Sequence, residues 1–223
     1  MSQSSPHIYF PERNALSPQQ LSDLADMINC VFFEVRPLAV SPASRCCSPV
    51  RAEIPRCLLH RALHAFSRPI SAQAEGDLFG PTFQRTSIAE LETLLTESHL
   101  VVLECTASAE RDIQGCMYLK KSDAATAMFG MLAVPHRARG LGHARRLLDF
   151  ASTWARANAC DALQLSLLSP RDEPHAHKAF LEAWYRRSGF QMVKEMEFSW
   201  TQPMAKVCHF RLFSMSLAAA SQA

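Results

Sequence analysis

Two amphipathic helices are predicted before the middle of the chain. Ser17 to Gln20 read as a capping box, in which a serine N-cap is followed by proline at the first helical position and glutamine at the third. Apolar residues then recur at the spacing of a helix that buries one stripe, at Leu21, Leu24, Ala25, Ile28, Val31 and Phe32. A second capping box, Ser87 to Glu90, predicts a shorter helix that runs through Leu95.

From His99 onward the pattern changes to short strands. The apolar runs HLVVLEC, DIQGCMYLKK and ATAMFGMLAV are separated by polar turns, which indicates an antiparallel meander. A helix follows, with one apolar face formed by Ala144, Leu147, Leu148, Ala151, Trp154, Ala155 and Ala159. Then come a strand in ALQLSLL, a helix over residues 178–187, and closing strands within FQMVKEMEFSW and KVCHFRLFSMSL.

The chain is expected to form one domain over residues 1–223, because 223 residues suffice for one sizeable core. Residues 36–85 are predicted as an irregular, partly helical insertion, since prolines are frequent there and periodicity is weak. This segment carries Leu58, Leu59, Leu63, Phe66, Leu78 and Phe79.

Composition narrows the choice of partners. The net charge of +2 gives no reason to expect a nucleic-acid surface. No apolar run approaches the about 20 residues that cross a bilayer, so no membrane partner is expected. The N-terminal sequence MSQSSPHIYFPERN has no basic segment followed by an apolar one, which predicts a cytoplasmic protein.

No metal site is predicted. The eight cysteines are scattered and contain no CxxC pair with metal-ligand spacing. His175 and His177 form an HxH pair, but no third ligand accompanies them.

The segment that carries the clearest chemistry is the basic turn from Arg137 to Gly142. It joins a strand to a helix, where several main-chain N–H groups lack intrahelical partners and the helix dipole is positive. Gly140 and Gly142 allow a ligand to approach the main chain closely, so the turn is suited to a pyrophosphate. Neither the GxGxxG nor the GxxxxGK[ST] fingerprint is met, and the remaining pattern is [R/Q]xxGxG.

This pattern after the strand GMLAV resembles motif A of the GNAT superfamily of acyl-CoA-dependent N-acyltransferases. The final helix is similar to that of stand-alone N-acetyltransferase-domain proteins of filamentous fungi, through Lys178, Leu181, Trp184, Tyr185, Gly189 and Phe190. The resemblance covers residues 15–217, weakly between 36 and 80. It implies an α+β, three-layer fold with a mixed, mostly antiparallel sheet of about six to seven strands and about four helices.

The resemblance also implies that acetyl-CoA is the co-substrate. The main chain of Leu132, Ala133 and Val134 would pair with the pantetheine arm like an added strand. The pyrophosphate would be held by main-chain amides of Arg137, Ala138, Arg139, Gly140, Leu141, Gly142 and His143. Lys178 occupies the position where many relatives place an asparagine that contacts pantetheine. Only His136 separates Pro135 from Arg137, where members often have two residues, so a tighter loop is expected.

Tyr185 matches the family tyrosine that points at the coenzyme A sulfur. A phenol, with an ordinary pKa of about 10 against about 8.5 for a cysteine-like thiol, can hold a proton at neutral pH and deliver it to the departing thiolate. The alternative is that Tyr185 packs beside Trp184 as an ordinary core residue.

The sequence leaves several candidates for the general base, because ATAMFGMLAV contains no acid. Glu104 is the candidate carried forward, although a solvated Glu104 at the sheet edge is the competing interpretation. The other candidates are Asp172, Glu173, His175 and His177, in the loop before the last helix.

A small, partly apolar amine is the expected acceptor, because the insertion carries no acidic surface for a polycation. Two other functions stay open. The fold could serve non-acylating chemistry on a metabolite, or act as a non-catalytic acyl-CoA-binding module. Monomer and homodimer are both compatible with the sequence.

Overall fold

One sheet of seven strands organises the part of the chain that the computed structural model describes, namely residues 6–12, 15–32, 77–79, 83–105, 112–197 and 204–217. The strands are β1 (His7–Tyr9), β2 (Leu100–Cys105), β3 (Asp112–Lys121), β4 (Thr126–Ala133), β5 (Ala162–Pro170), β6 (Gln191–Glu197) and β7 (Cys208–Ser216). The helices are α1 (Pro18–Phe32), α2 (Ile88–Thr96), α3 (His143–Ala157) and α4 (Ala176–Arg187).

The spatial order of the strands is β1-β2-β3-β4-β5-β7-β6. Every neighbouring pair is antiparallel except β4 and β5, which run parallel and are joined through α3. The predicted meander is confirmed as β2, β3 and β4. The predicted insertion lies outside the described residues except for 77–79 and 83–85, and so do Leu58, Leu59, Leu63 and Phe66.

Both predicted helix starts are present. At α1, the Gln20 N–H donates to Ser17 Oγ at 3.2 Å, and Gln20 Oε1 accepts from the Ser17 N–H at 2.9 Å. At α2, Ser87 Oγ accepts from the Glu90 N–H in the same way, but the Glu90 carboxylate accepts from the Thr86 hydroxyl instead. These bonds fix where each helix begins, because they satisfy amides that have no partner within the helix.

The two helix pairs cover opposite faces of the sheet. On β2, Val101 and Leu103 belong to the cluster beneath α3 and α4, whereas Leu100 and Val102 belong to the cluster beneath α1 and α2. This alternation is the period of two that a strand with both faces buried requires. The result is a three-layer arrangement of helices, sheet and helices.

A β-bulge interrupts this alternation on β4. Its register with β3 shifts between Cys116 and Tyr118, and Met131 has a φ of +52°. One extra residue on β4 moves later side chains to the other face. Phe129 therefore packs beneath α3 and α4, whereas Met131 and Ala133 pack beneath α1 and α2.

The sheet opens between its two parallel strands. β4 and β5 pair only from Thr126 with Ala162 to Met128 with Gln164. Beyond that point β4 continues to Ala133 and β5 to Pro170 without further pairing to each other. We call the gap between residues 129–133 of β4 and 165–170 of β5 the β4–β5 split.

The side chain of Asn29 holds the segment that leads into α2. Asn29 of α1 accepts from the N–H groups of Arg85 and Thr86, at 2.8 and 3.2 Å, and its Nδ2 donates to the Thr86 carbonyl at 3.1 Å. We expect Asn29→Ala to lower the free energy of unfolding by about 2 kcal/mol, because Thr86 is buried and its amide would lose its partner. Urea unfolding measures this.

The matched control is Asn158→Ala, at the exposed end of α3. There Nδ2 donates only to the Trp154 carbonyl, at 2.8 Å, so a change within about 0.5 kcal/mol is expected. Equal losses in the two variants would contradict the role given to Asn29.

Candidate functional site

The turn between β4 and α3 depends on two glycines in the left-handed region. Gly140 and Gly142 each have a φ of +81°, a conformation that costs other residues roughly 1–2 kcal/mol. A Cβ built on either glycine meets nothing within 4 Å. The conformation, and not crowding inside the chain, therefore explains why glycine occupies both positions.

The same turn presents a run of unpaired main-chain amides. The N–H groups of residues 140–144 have no main-chain acceptor among the described residues. The first bond from α3 into the turn is the one that the Arg146 N–H donates to the Gly142 carbonyl, at 3.0 Å. Because these amides lie at the positive end of the helix dipole, they can surround an anion.

Arg137 anchors the turn to the sheet. Its Nη2 lies 2.5 Å from Asp112 Oδ1 and donates to the Ile113 carbonyl at 3.2 Å, both at the start of β3. Its guanidinium is thus engaged within the chain. Ala138 is buried in the short 3-10 turn His136–Ala138, and Arg139 and Leu141 are exposed. The N–H groups of Ala138 and Arg139 donate to the carbonyls of Pro135 and His136, so these two amides are not available to a ligand as predicted.

His143, the first residue of α3, is buried although it is polar. Its side chain is 6% exposed, and Nδ1 has no hydrogen-bond partner among the described residues. Burial, together with the charge of Arg146, lowers the pKa of His143 below its ordinary value. The ring is therefore neutral at physiological pH.

Leu132 and Ala133 lie along the β4–β5 split at the end of β4, and Val134 follows them directly before the turn. Ala133 is opposite Cys116 of β3 and buried, and its two neighbours are half-buried. On its other side this part of β4 has no strand partner. An extended ligand entering the split would meet main-chain donors and acceptors there.

Tyr185 reaches the start of the split from α4. It is 7% exposed, and its ring centroid lies 6.2 Å from Phe129 of β4, 5.8 Å from Phe190 and 6.5 Å from Phe213 of β7. The aromatic neighbours hold the phenol at the β4 residue that directly follows the last pair with β5. Tyr185 thus packs in an aromatic core, with Trp184 4.9 Å away between ring centroids, and its ring lies beside the start of the split.

Lys178 lies two turns before Tyr185 on α4 and is 3% exposed. Its N–H donates to Nδ1 of His175, so the histidine ring is the N-cap of the helix. The other ring nitrogen, Nε2, lies 3.0 Å from Asp77 Oδ1. Both nitrogens of His175 are thus engaged, which leaves none to act as a base.

Asp77 belongs to a small charged network that the sequence does not predict. Lys206 Nζ lies 2.9 Å from Asp77 Oδ2 and 2.7 Å from Glu173 Oε1. Burial acts against ionisation of Asp77, but hydrogen bonds from Lys206 and His175 outweigh it and lower its pKa. The network joins residue 77 to the loops before α4 and before β7.

Glu104 is buried, not solvated at a sheet edge. It is 4% exposed, its Oε1 has no partner among the described residues, and it pairs with Ile113 in register. Its strand, β2, is separated from β4 by β3, a distance of about 10 Å for two strand spacings. The structure therefore does not bring Glu104 and Tyr185 together.

An apolar cluster lies on the α1 and α2 side of the sheet, beside β5 and β7. Its members are Leu78, Phe79, Phe83, Leu168, Met204, Cys208 and Phe210. The rings of Phe79 and Phe83 stack with centroids 3.9 Å apart. Phe79 and Phe83, at the described end of the predicted insertion, thus form part of an apolar surface next to the split.

Among the described residues, no group of three or more His, Cys, Asp or Glu side chains is arranged to hold a metal ion.

Residues 96–192 match the family described as "Acetyltransferase (GNAT) domain". The match spans α2 to β6, with the turn, the split, Lys178 and Tyr185, and covers less than half of the 223 residues. No curated protein matches the sequence.

One solved structure with a TM-score above 0.5 shows that the fold is GNAT-like. A spermidine N-acetyltransferase SpeG chimera from Vibrio cholerae and hSSAT is 13% identical, covers 96% of this chain and 97% of that chain, and has a TM-score of 0.53. Ard1 from Thermoplasma volcanium is 15% identical, covers 62% of this chain and 85% of that chain, and has a TM-score of 0.48. At such identities the likeness concerns the fold alone.

The predicted fold class is confirmed by the seven-stranded, mostly antiparallel sheet and its flanking helices. The resemblance to fungal proteins stays a prediction. None of the helices within the described residues is long and apolar enough to cross a membrane.

Burial of His143 makes stability depend on pH. Its pKa in the folded protein lies below the about 6.5 of an unfolded chain, so the unfolded state binds more protons as the pH falls through that value. We expect the free energy of unfolding to fall more steeply between pH 7 and pH 5 for the wild type than for His143→Leu. Urea unfolding at both pH values tests this, and parallel losses would contradict it.

Proposed function

We propose that the chain is an acetyl-CoA-dependent N-acetyltransferase that transfers the acetyl group to the amine of a small molecule. The observation that carries the proposal is the β4–β5 split, with unpaired amides at one end and Tyr185 at the other. The family match over residues 96–192 supports the acetyl-transfer part.

Acetyl-CoA fits the residues present. The amides of residues 140–144 suit its pyrophosphate, and glycines at 140 and 142 leave open space beside the main chain. The free side of Leu132 to Val134 suits the pantetheine arm, which would complete the hydrogen bonds that β5 does not make. Lys178, buried on α4, would contact the same arm.

The reaction needs a site for oxyanion charge and a proton for the leaving thiolate. Main-chain N–H groups of β4 beyond the bulge can stabilise the oxyanion of the tetrahedral intermediate without a side chain. Tyr185 supplies the proton as the C–S bond breaks, and recovers one from solvent. Glu104 lies too far from the split to take a proton from the amine directly, so a role for it requires a chain of water molecules.

A small, partly apolar amine is the proposed acceptor. The apolar cluster around Phe79, Phe83 and Phe210 forms a wall on the side of the split that α3 and α4 do not cover. Such a wall favours an acceptor with an aromatic or aliphatic body over a polycation.

Calorimetric titration with acetyl-CoA, followed by mass spectrometry of amine mixtures, tests the function. Binding together with an amine whose mass has increased by one acetyl group supports the proposal. Tight binding without transfer to any amine would favour a non-catalytic acyl-CoA-binding module. Absence of binding would favour non-acylating chemistry in the same fold.

We expect Gly142→Ala to weaken acetyl-CoA binding about ten-fold, which corresponds to about 1.4 kcal/mol. Alanine relaxes away from a φ of +81° and turns the neighbouring amides out of register. Gly189→Ala is the matched control, because Gly189 has a φ of +99° at the end of α4. It should lose at least as much stability, because its Cβ would also lie 3.2 Å from Met215 Sδ, but keep its acetyl-CoA affinity. Equal affinities in the two variants would contradict the turn's role.

We expect Tyr185→Phe to lower kcat ten-fold or more while acetyl-CoA affinity is retained, because positioned proton transfer contributes about 10²–10⁴ in rate. Phenylalanine keeps the contacts with Phe129 and Phe213, so the fold is preserved. Release of coenzyme A in the presence of an active amine measures kcat. Unchanged turnover would reject the proton-donor role.

A further inference from the structure

A second tyrosine lies against β4, on the face opposite to Tyr185. Tyr118 of β3 is paired with Gly130 of β4. A Cβ built on Gly130 would lie 2.5 Å from Cε1 of Tyr118 and 2.6 Å from both Cζ and Oη. The hydroxyl end of the Tyr118 ring therefore rests on the main chain of β4, in the space that any larger residue at 130 would fill.

The two phenols approach consecutive residues of one strand. Tyr185 packs against Phe129 beneath α3 and α4, whereas Tyr118 packs with the cluster beneath α1 and α2 and covers Gly130. Pairing of β4 with β5 ends at Met128. Both phenols thus flank the first residues of β4 that lie along the split.

Tyr118 also extends in the direction of the split. Neighbouring strands lie about 4.8 Å apart, and the ring crosses that spacing to place its Oη over β4. The hydroxyl is thereby at the rim of the split, on the side where the apolar cluster around Phe79 and Phe210 lies. Because acetyl-CoA would enter beside the turn and α3, an amine would approach from this other side.

The environment of Tyr118 keeps its proton in place. Burial raises the pKa of Tyr118, and the positive charge of Arg85 only partly opposes this. A neutral phenol oxygen can accept a hydrogen bond from an amine N–H while its own O–H donates elsewhere. β4 carries no carboxylate, and Glu104 on β2 lies two strands from β4. Both ring nitrogens of His175 are engaged in hydrogen bonds.

We propose that Tyr118 is a catalytic residue on the acceptor side of the split, where its Oη accepts a hydrogen bond from the attacking amine and directs the nitrogen lone pair at the thioester carbonyl. This inference rests on the proposed acetyl transfer. The C–N bond forms and the C–S bond breaks. The amine nitrogen loses its proton to water, and the thiolate gains one from Tyr185.

The test is the turnover of Tyr118→Phe, which keeps the ring over Gly130 and removes only the hydroxyl. Coenzyme A release is followed with acetyl-CoA and whichever of phenethylamine, tyramine and spermidine the wild type acetylates. We expect kcat to fall about ten-fold, the effect of losing one oriented hydrogen bond, with the acetyl-CoA dissociation constant unchanged. Tyr9→Phe, on β1 and the same face of the sheet, is the matched control and should retain wild-type turnover.

Gly130→Ala provides a second variant that leaves the hydroxyl in the protein but displaces it. The added Cβ would force the Tyr118 ring away from β4, so a comparable loss of kcat is expected. If Tyr118→Phe turns over like the wild type, the inference is overturned while the acetyltransferase function stands. If the wild type acetylates none of the three amines, the proposed function for these acceptors is overturned, and the role of Tyr118 with it.

Discussion

The main constraint on this structure is that its two parallel strands, β4 and β5, leave most of their facing main-chain groups without hydrogen bonds to each other. β4 and β5 pair over three residues and then separate, although both continue for several residues more. Main-chain groups left unpaired within a sheet cost free energy unless another partner satisfies them. An extended ligand is such a partner, and the amides of residues 140–144 stand at the same end of β4 to receive its charged group. The separation of β4 from β5 thus determines the shape of the sheet and also provides the proposed binding site for acetyl-CoA.

Features with a short-range cause could be predicted from the sequence. The serine N-caps at Ser17 and Ser87, the apolar face of α3 and the glycines of the turn all act within about four residues, and the structure contains each of them. The capping box is complete only at Ser17, because the Glu90 carboxylate accepts from Thr86 instead. β1 was not predicted, because three residues are too few to show an alternation. The effect of the bulge near Gly130 on which face later residues occupy was not predicted, since ATAMFGMLAV is a continuous apolar run with no alternation that could locate a bulge.

Features that need distant partners could not be predicted. His175 caps α4 with one nitrogen and meets Asp77 with the other, across 98 positions of sequence. The burial of Glu104, the candidate base, could not be predicted, because nothing local shows that the short strand β1 covers it. No sequence pattern distinguishes Tyr118, since its position over Gly130 arises only when β3 and β4 are paired in the observed register. In each case the outcome depends on contacts between residues that are distant in the sequence, and the local propensities of the residues do not contain that information.

The dipeptide Phe129-Gly130 shows how one strand can serve two faces of a site. Successive side chains point to opposite faces, so a large residue followed by the smallest provides an aromatic platform on one side and free space on the other. Tyr185 uses the platform and Tyr118 fills the space. A sheet is one strand thick, so a group that acts on the leaving sulfur and a group that acts on the attacking nitrogen can approach the same carbonyl carbon from opposite faces without competing for room. The glycine is then required by Tyr118 rather than by the bulge, since the left-handed conformation falls on Met131.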